Sequence, residues 1–398
     1  MIGTYKDIRL KKGKESSLSR FHPWVFSGAI NNVPTGLKEG ETVRVLSNDG
    51  KVIGFGDWQI GSIAVRMLSF GDIIPDTAYM AMLLLKALNL RLSLRLNRAD
   101  NNIFRLVHGE GDYLPGLIVD LYGDTAVVQA HSPAMHHRRH EIATILTHNH
   151  LIDIKNVFYK SETTLPYKAN LNPQDGYLIG SENTCVAMEN GLKFNIDWLR
   201  GQKTGFFIDQ RDNRSLLGAL AEGHKVLNMF CYTGGFSVYA LKGGAEKVVS
   251  VDSSAKAINI TEQNVALNFD EATASRHTAV AEDAFRFIDN MQPGEFDLVI
   301  LDPPAFAKHR DALNNALRGY QKINARTIEK MSEGSILFTF SCSQAVSKEQ
   351  FRLAVFSAAA ETGRKVRILH QLTQPADHPV NIYHPEGEYL KGLVLYIE

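Results

Sequence analysis

An α/β fold with a doubly wound parallel sheet is predicted for residues 186–398, and three observations predict it. Short apolar runs rich in β-branched residues recur from Lys225 onward: KVLNMF, EKVVSVD, FDLVILD, GSILFTFS, KVRILHQ and GLVLYIE. Helical stretches such as SSAKAINITEQNVALN and SKEQFRLAVFSAAAETG stand between most of them, and the second opens on an S-x-x-Q capping box, Ser347 to Gln350. Strands that alternate with helices make parallel βαβ units with helices on both faces. Such sheets bind ligands at the carboxyl ends of their strands, so chemistry is expected in the residues that follow each run.

At roughly 150 residues per domain, the chain has room for two or three domains. Residues 1–74 read as a small β-barrel-like domain. TVRVLS (42–47) alternates apolar and polar residues with period two, and SIAVRMLSF (62–70) nearly does so, with Gly and Asp between them. Residues 75–185 read as an α+β module. Pro75 opens a helix with an apolar stripe at Met80, Leu83, Leu84, Ala87 and Leu88. GLIVDLYG, TAVVQAH and IKNVFYK follow as strands, with a helix over His137–Leu146 between the last two. The expected domains are therefore 1–74, 75–185 and 186–398.

Composition limits the function classes. A 44% hydrophobic and 22% charged chain fits a soluble globular protein. Lys and Arg together number 43 and so do Asp and Glu, which excludes a chain that is cationic throughout but allows a local basic patch. Residues 1–74 carry 10 basic and 7 acidic side chains, net +3, concentrated in Lys6, Arg9, Lys11, Lys12, Lys14 and Arg20. Such an arm is either a solvated surface or a track for a phosphate backbone. The three cysteines, Cys185, Cys231 and Cys342, cannot all pair and form no C-x-x-C. A reducing cytoplasm is the expected setting, with no disulfide scaffold or cysteine zinc site. MIGTYKDIRLKKGK lacks the apolar region of a signal peptide, and Met80–Leu90 is too short to span a bilayer.

The turns after the strands carry the chemistry. KVLNMF runs into CYTGGF, where Gly234 and Gly235 allow a tight turn and close backbone approach at a helix N-terminus. No G-x-G-x-x-G is present, which argues against a nicotinamide cofactor. EKVVSVD ends in Asp252, 18 residues after Gly234; an acid there suits a ribose diol, and equally a helix N-cap before SSAKA. AEDAF offers Asp283. FDLVILD leads into LDPPAF, whose prolines stop the strand and present Asp302 at the sheet edge. FTFSCS places Cys342 at the same edge.

In order, NMFCYTGGF, SVDSS, AEDAF and LDPPAF resemble a class I S-adenosylmethionine-dependent methyltransferase. GQKTGFFIDQRDNR (201–214) resembles the segment that precedes that domain in ribosomal RNA methyltransferases, and RFHPWVFSGAI (20–30) looks like the start of a PUA-type RNA-binding domain. With LVHGEGDYLPGLIVDLYG and ADHPVNIYHPEGEYLKG, the whole chain resembles bacterial 23S rRNA (cytosine-5)-methyltransferases that carry a PUA domain. The resemblance implies S-adenosyl-L-methionine as cofactor and large-subunit rRNA as partner, with no metal and no membrane; a homodimer is compatible with it. It implies that Phe230, Tyr232, Thr233, Gly234 and Gly235, in the turn that also contains Cys231, cradle the methionine part. Asp252 and Ser253 would meet the ribose, Asp283 and Ala284 the adenine, and Lys203, Thr204, Asp209, Gln210 and Asp302 would close the site. Acids around a sulfonium cation also suit its charge.

Carbon 5 of cytosine is a poor nucleophile while the ring is aromatic. A thiolate added at carbon 6 makes carbon 5 enamine-like, and elimination then needs the carbon 5 proton removed and the thiolate expelled. Cys342 is the expected nucleophile because it follows the strand after LDPPAF. Cys231 is expected to pack, and Cys185 has no assigned role. Many RNA cytosine-5 methyltransferases carry a second cysteine after the proline of the Asp-Pro motif; here Pro304 and Ala305 stand there, so the resemblance is to a one-cysteine branch. Asp302 is cast as a hydrogen-bond partner of the cytosine ring, with water as a final base.

A base must leave its stack to be reached. Phe306 and Tyr320 are stacking candidates, though aromatics in such places are more often core than platform, and Arg318 and Lys322 are phosphate contacts; Lys11, Lys12, Lys14 and Arg20 are those of the front domain. His136 and His140, spaced i, i+4 in a cluster with His131, His137, His148 and His150, are expected on a solvated helix face that favours RNA when protonated. The rival readings are an rRNA purine N-methyltransferase of the same fold, which needs no nucleophilic cysteine, and a non-catalytic RNA-binding assembly factor.

Overall fold

The computed structural model describes residues 5–181, 185–306 and 312–398. It divides into two compact units: Met1–Met188 with Ile196–Ile208 and Ala376–Gly387, and Glu189–Asn195 with Asp209–Pro375 and Glu388–Glu398.

The first unit holds two sheets. Six strands run in the order Trp24–Phe26, Ile63–Phe70, Val52–Trp58, Thr42–Leu46, Lys6–Leu10, Ile30–Asn32. Their alternation follows the period-two reading: Ile8 and Leu10 are buried while Asp7 and Arg9 are exposed, and Val43 and Val45 join them in the core. The five-stranded sheet has the order Gly176–Ile179, Asn156–Tyr159, Thr125–Ala130, Leu117–Tyr122, Ile103–His108. Helix Thr77–Ser93 packs with the expected stripe, Met80, Leu83, Leu84, Ala87 and Leu88, buried. Its cap is Asp76, which accepts from Tyr79 N at 2.8 Å, rather than Pro75 itself.

The second unit is built on seven strands: β1 (Lys225–Met229), β2 (Lys247–Asp252), β3 (His277–Ala281), β4 (Leu298–Leu301), β5 (Ile336–Ser341), β6 (Val366–Leu372) and β7 (Lys391–Ile397). Helices α1 (Arg211–Leu220), α2 (Gly235–Lys242), α3 (Ala255–Asn268), α4 (Ala284–Asn290), α5 (Leu313–Lys330) and α6 (Lys348–Thr362) connect them. The sheet order is β3-β2-β1-β4-β5-β7-β6. Strands β1 and β4 are buried along their apolar runs, as strands covered by helices on both faces must be. Ser347 and Gln350 form the expected reciprocal cap at the start of α6.

Two features depart from the sequence reading. Strand β3 is a half-exposed edge whose HTAVA lacks an apolar run, so its sequence did not announce it. The sheet is also not parallel throughout: β7 runs antiparallel to both β5 and β6. Between β6 and β7 the chain forms only a short 3-10 turn, Pro385–Gly387, and a return without a crossover helix reverses the strand. The chain moves outward to one side through β1, β2 and β3, then to the other from β4. The switch point therefore lies between β1 and β4, and the crevice beyond their carboxyl ends is where a doubly wound sheet binds its ligand.

Candidate active site

Two turns meet at that switch point. The first, Phe230–Gly234, follows β1 with three residues in the left-handed region: Phe230 at φ 58°, Tyr232 at φ 49° and Gly234 at φ 78°. Non-glycine residues hold such backbone only where surroundings fix it. Here Thr261 Oγ1 donates to Tyr232 O at 3.0 Å, and Asn264 Nδ2 donates to Thr233 O at 2.8 Å, both from α3. Asp252, at the end of β2, accepts from Tyr232 N at 3.0 Å and from Ser254 N at 2.9 Å. A side chain at Gly234 would put its Cβ 2.4 Å from Thr261 Cγ2, so the glycine is needed for close approach as well as for its φ. Beneath α2 lies a buried ion pair, with Arg214 Nη2 2.7 Å from Glu189 Oε2.

The second turn is Asp302–Phe306, after β4. Gln210, the N-cap of α1, donates from Nε2 to Asp302 Oδ2 at 3.0 Å and accepts from Asn213 Nδ2 at 2.6 Å. Beside this turn, β5 ends at Ser341, and Cys342 Sγ lies 4.0 Å from Pro303 O. The two described thiols differ sharply. Cys342 is half-buried at the crevice, whereas Cys231 is 6% exposed. Burial, and then the charge of Asp252, push the Cys231 thiol far above its ordinary pKa, so it remains a protonated packing group.

Comparison with known proteins decides the family. Residues 175–386 match the S-adenosylmethionine-dependent methyltransferase family and residues 8–70 a PUA-like domain. The chain belongs to that methyltransferase family. It is 38% identical over 395 residues to a Tolumonas auensis protein named Ribosomal RNA large subunit methyltransferase I, covering 98% of both chains. Its fold is similar, with a TM-score of 0.83 and 22% identity, to a candidate S-adenosylmethionine-dependent methyltransferase from Streptococcus mutans, over 98% of this chain and 99% of that one. A candidate methyltransferase solved in complex with S-adenosylhomocysteine has a TM-score of 0.84 with 22% identity, over 98% and 99% of the two chains.

The methyltransferase offers fitting groups for S-adenosylmethionine. Asp209 is buried; its Oδ2 accepts from Tyr389 OH at 2.7 Å, while its Oδ1 has no hydrogen-bond partner among the described residues. A buried acceptor left open suits a cationic donor such as the ammonium of the methionine part. Asp252 is half-buried and Ser253 exposed beside it; the cap of α3 is Ser254, not Asp252. Asp283 is exposed and caps α4, accepting from Arg286 N at 3.0 Å, with Ala284 buried behind it. Lys203 and Thr204 lie in the first unit. There Thr204 Oγ1 donates to Asp120 Oδ2 at 2.6 Å, and Lys203 Nζ stands 5.5 Å from the centre of the Phe207 ring.

Two expectations need correction. Tyr320 is no stacking platform: it is wholly buried, its ring 4.8 Å from that of Phe306, and its OH lies 3.0 Å from Ser341 Oγ and 3.1 Å from Ser343 Oγ. The i, i+4 relation of His136 and His140 also lapses, because they sit on separate helices, Pro133–His137 and Arg139–Thr147. His140, His148 and His150 are exposed, as a solvated face requires, but His131 and His136 are not. Burial, with Arg105 beside His131 and Arg139 beside His136, depresses both to about 4, so neither offers a cation to RNA near neutral pH. Gln210, expected against the cofactor, holds Asp302 and Asn213 through its amide.

Sequence reading missed Thr261, Asn264, Asn213 and Tyr389, which brace the turns. The first two left a signal: they are polar residues three apart on the buried face of α3.

Proposed function

We propose that this methyltransferase acts on carbon 5 of a cytosine in 23S rRNA through a covalent adduct of Cys342. The observation that carries this reading is the half-buried Cys342 thiol 4.0 Å from the Asp-Pro-Pro turn, at the switch-point crevice. A relative covering 98% of its own length bears the name of a large-subunit rRNA methyltransferase, which supports the substrate class. The setting implied is cytoplasmic, and among the described residues no helix is long and apolar enough to cross a membrane.

In this reading the chain has three parts, 1–74, 75–185 and 186–398, the first binding RNA. Lys11, Lys12, Lys14 and Arg20 are exposed on it, and Arg318 and Lys322 are exposed on one face of α5, lining a surface groove with Arg326. The turn Phe230–Gly235 holds the methionine part, Asp209 its ammonium, Asp252 and Ser253 the ribose, and Asp283 and Ala284 the adenine. S-adenosylmethionine supplies a methyl group on a sulfonium that is already a good leaving group. The Cys342 thiolate adds to carbon 6, and the electron pair of the carbon 5–carbon 6 bond becomes available at carbon 5. Asp302, fixed by Gln210, accepts a hydrogen bond from the cytosine edge and so supports the adduct. After methylation the carbon 5 proton goes to water, the pair it leaves rebuilds the double bond, and the carbon 6–sulfur pair returns to Cys342.

Cys342→Ala is expected to abolish methyl transfer and keep S-adenosylmethionine binding, while Cys231→Ala retains most turnover. RNA with 5-fluorocytosine cannot lose a carbon 5 proton, so an adduct should survive denaturing electrophoresis and map to the peptide with Ser341, Cys342 and Ser343. Near wild-type turnover by Cys342→Ala would overturn the mechanism. Activity with no trapped adduct would favour the purine N-methyltransferase reading.

A further inference from the structure

Strand β7 enters the sheet between β5 and β6, and its register sets Lys391 opposite Ser341, the residue before Cys342. Lys391 is out of pattern in this strand, whose next residues are Gly392, Leu393, Val394 and Leu395, and it is only 5% exposed. A buried ammonium is costly unless it meets a partner. Lys391 Nζ donates to Ser343 O at 2.6 Å, so the amine ends at the 341–343 turn rather than in water. Tyr320 grips the same turn through the hydroxyls of Ser341 and Ser343. The residues on either side of Cys342 are thus held by an amine and a phenol, and its sulfur lies 4.0 Å from Pro303 O.

The charged groups around this amine are few. Glu388 and Lys348 pair with each other, and they act on Lys391 in opposite senses. Asp302 stands on the turn that Cys342 meets, and Asp209 is bonded to Tyr389 two residues away in the chain. Burial lowers the Lys391 amine to about 8, against the charge of a Cys342 thiolate, which would raise it. An amine of that pKa is still mostly charged at neutral pH.

We propose that Lys391 is a positioning residue whose charge, held on the 341–343 turn, favours Cys342 as a thiolate. The inference rests on Cys342 being the nucleophile. The S–H bond breaks with its proton passing to water, while the ammonium stays on Ser343 O. The sulfur pair then makes the bond to carbon 6. When that bond breaks, its pair returns to sulfur, and the ammonium stabilises the thiolate. Lys391 is not the acceptor of the carbon 5 proton.

The test is alkylation of full-length protein by iodoacetamide, followed at the Cys342 peptide by mass spectrometry as pH is varied. In Lys391→Met, and in Lys391→Gln, which keeps a donor but no charge, the pH midpoint should rise by about one unit or more. Lys391→Arg should keep a low midpoint, because a fixed cation still favours the thiolate. Affinity for S-adenosylmethionine by calorimetry should not change, while methylation slows in the Met and Gln variants. An unshifted midpoint in folded Met and Gln variants would overturn the assignment. That outcome is distinct from failure of the nucleophile reading, which Cys342→Ala alone decides.

Discussion

Gln210 donates from Nε2 to Oδ2 of Asp302 at 3.0 Å, and this bond ties the cap of α1 to the turn after β4. A carboxylate that must meet a substrate edge gains from being held before the substrate arrives. Gln210→Ala should therefore lower single-turnover methylation about tenfold, equivalent to ~1.4 kcal/mol, and should cost about 1–3 kcal/mol in unfolding because the side chain is buried and bonded twice. Gln210→Glu should do more damage, by setting two carboxylates against each other. Wild-type rates for both variants would show that Asp302 needs no brace.

Asp252 joins two roles, since it accepts from Tyr232 N and Ser254 N while facing the expected ribose site. Asp252→Ala should cost about 1–2 kcal/mol in urea unfolding. It should also weaken S-adenosylmethionine binding at least about tenfold by calorimetry, the loss of a charge-assisted bond. A stability loss with unchanged affinity would leave Asp252 only as a turn brace.

The exposed basic arm should be visible in salt dependence. Replacing Lys11, Lys12, Lys14 and Arg20 together by Gln should flatten the plot of log affinity for 23S rRNA fragments against log salt. Each lost phosphate contact should reduce the slope by about 0.7–0.9. Equal slopes would mean that the arm is merely solvated. S-adenosylmethionine affinity is expected to be unaltered.

His277 gives a prediction in pH. It lies on β3 with Nε2 2.7 Å from Ser250 Oγ, and burial lowers it from 6.5 to about 4. Below 6.5 the unfolded chain takes up this proton and the folded chain does not. The stability from His277 is thus complete above 6.5 and drains away as pH falls toward about 4. Its slope is at most ~1.4 kcal/mol per pH unit. Urea midpoints compared across this range should fall less steeply for His277→Gln than for wild type.

How legible the molecule was in its sequence depended on what each residue had to do. Strands β1 and β4 stood out because helices on both faces demand unbroken apolar runs. Strand β3 did not, because an edge tolerates His277 and Thr278. The direction of β7 leaves no mark in GLVLYIE, since strand polarity is set by the connection, not by the strand's own residues. At the candidate site, the positions of Asp302 and Cys342 at strand ends were legible from the apolar runs before them. Tyr320 and Phe306 were not separable, since an aromatic side chain reads alike whether it stacks on a base or fills a core. Lys391 carried no signal in the sequence, because only the neighbouring strand shows that it is enclosed.

The reversed strand has a consequence for the order of folding. In the chain β7 follows every other strand of its sheet, yet in space it is the wedge between β5 and β6. Until it arrives, β5 exposes Ile336 to Ser341 as an open edge, able to pair with foreign chains. A nascent polypeptide therefore completes β1 to β4 early but gains the wall behind Cys342 only when residues 391–397 have emerged. Maturation of the thiol site is a late, long-range event, and truncation before Lys391 would leave a sheet with a cofactor crevice and an unsealed flank.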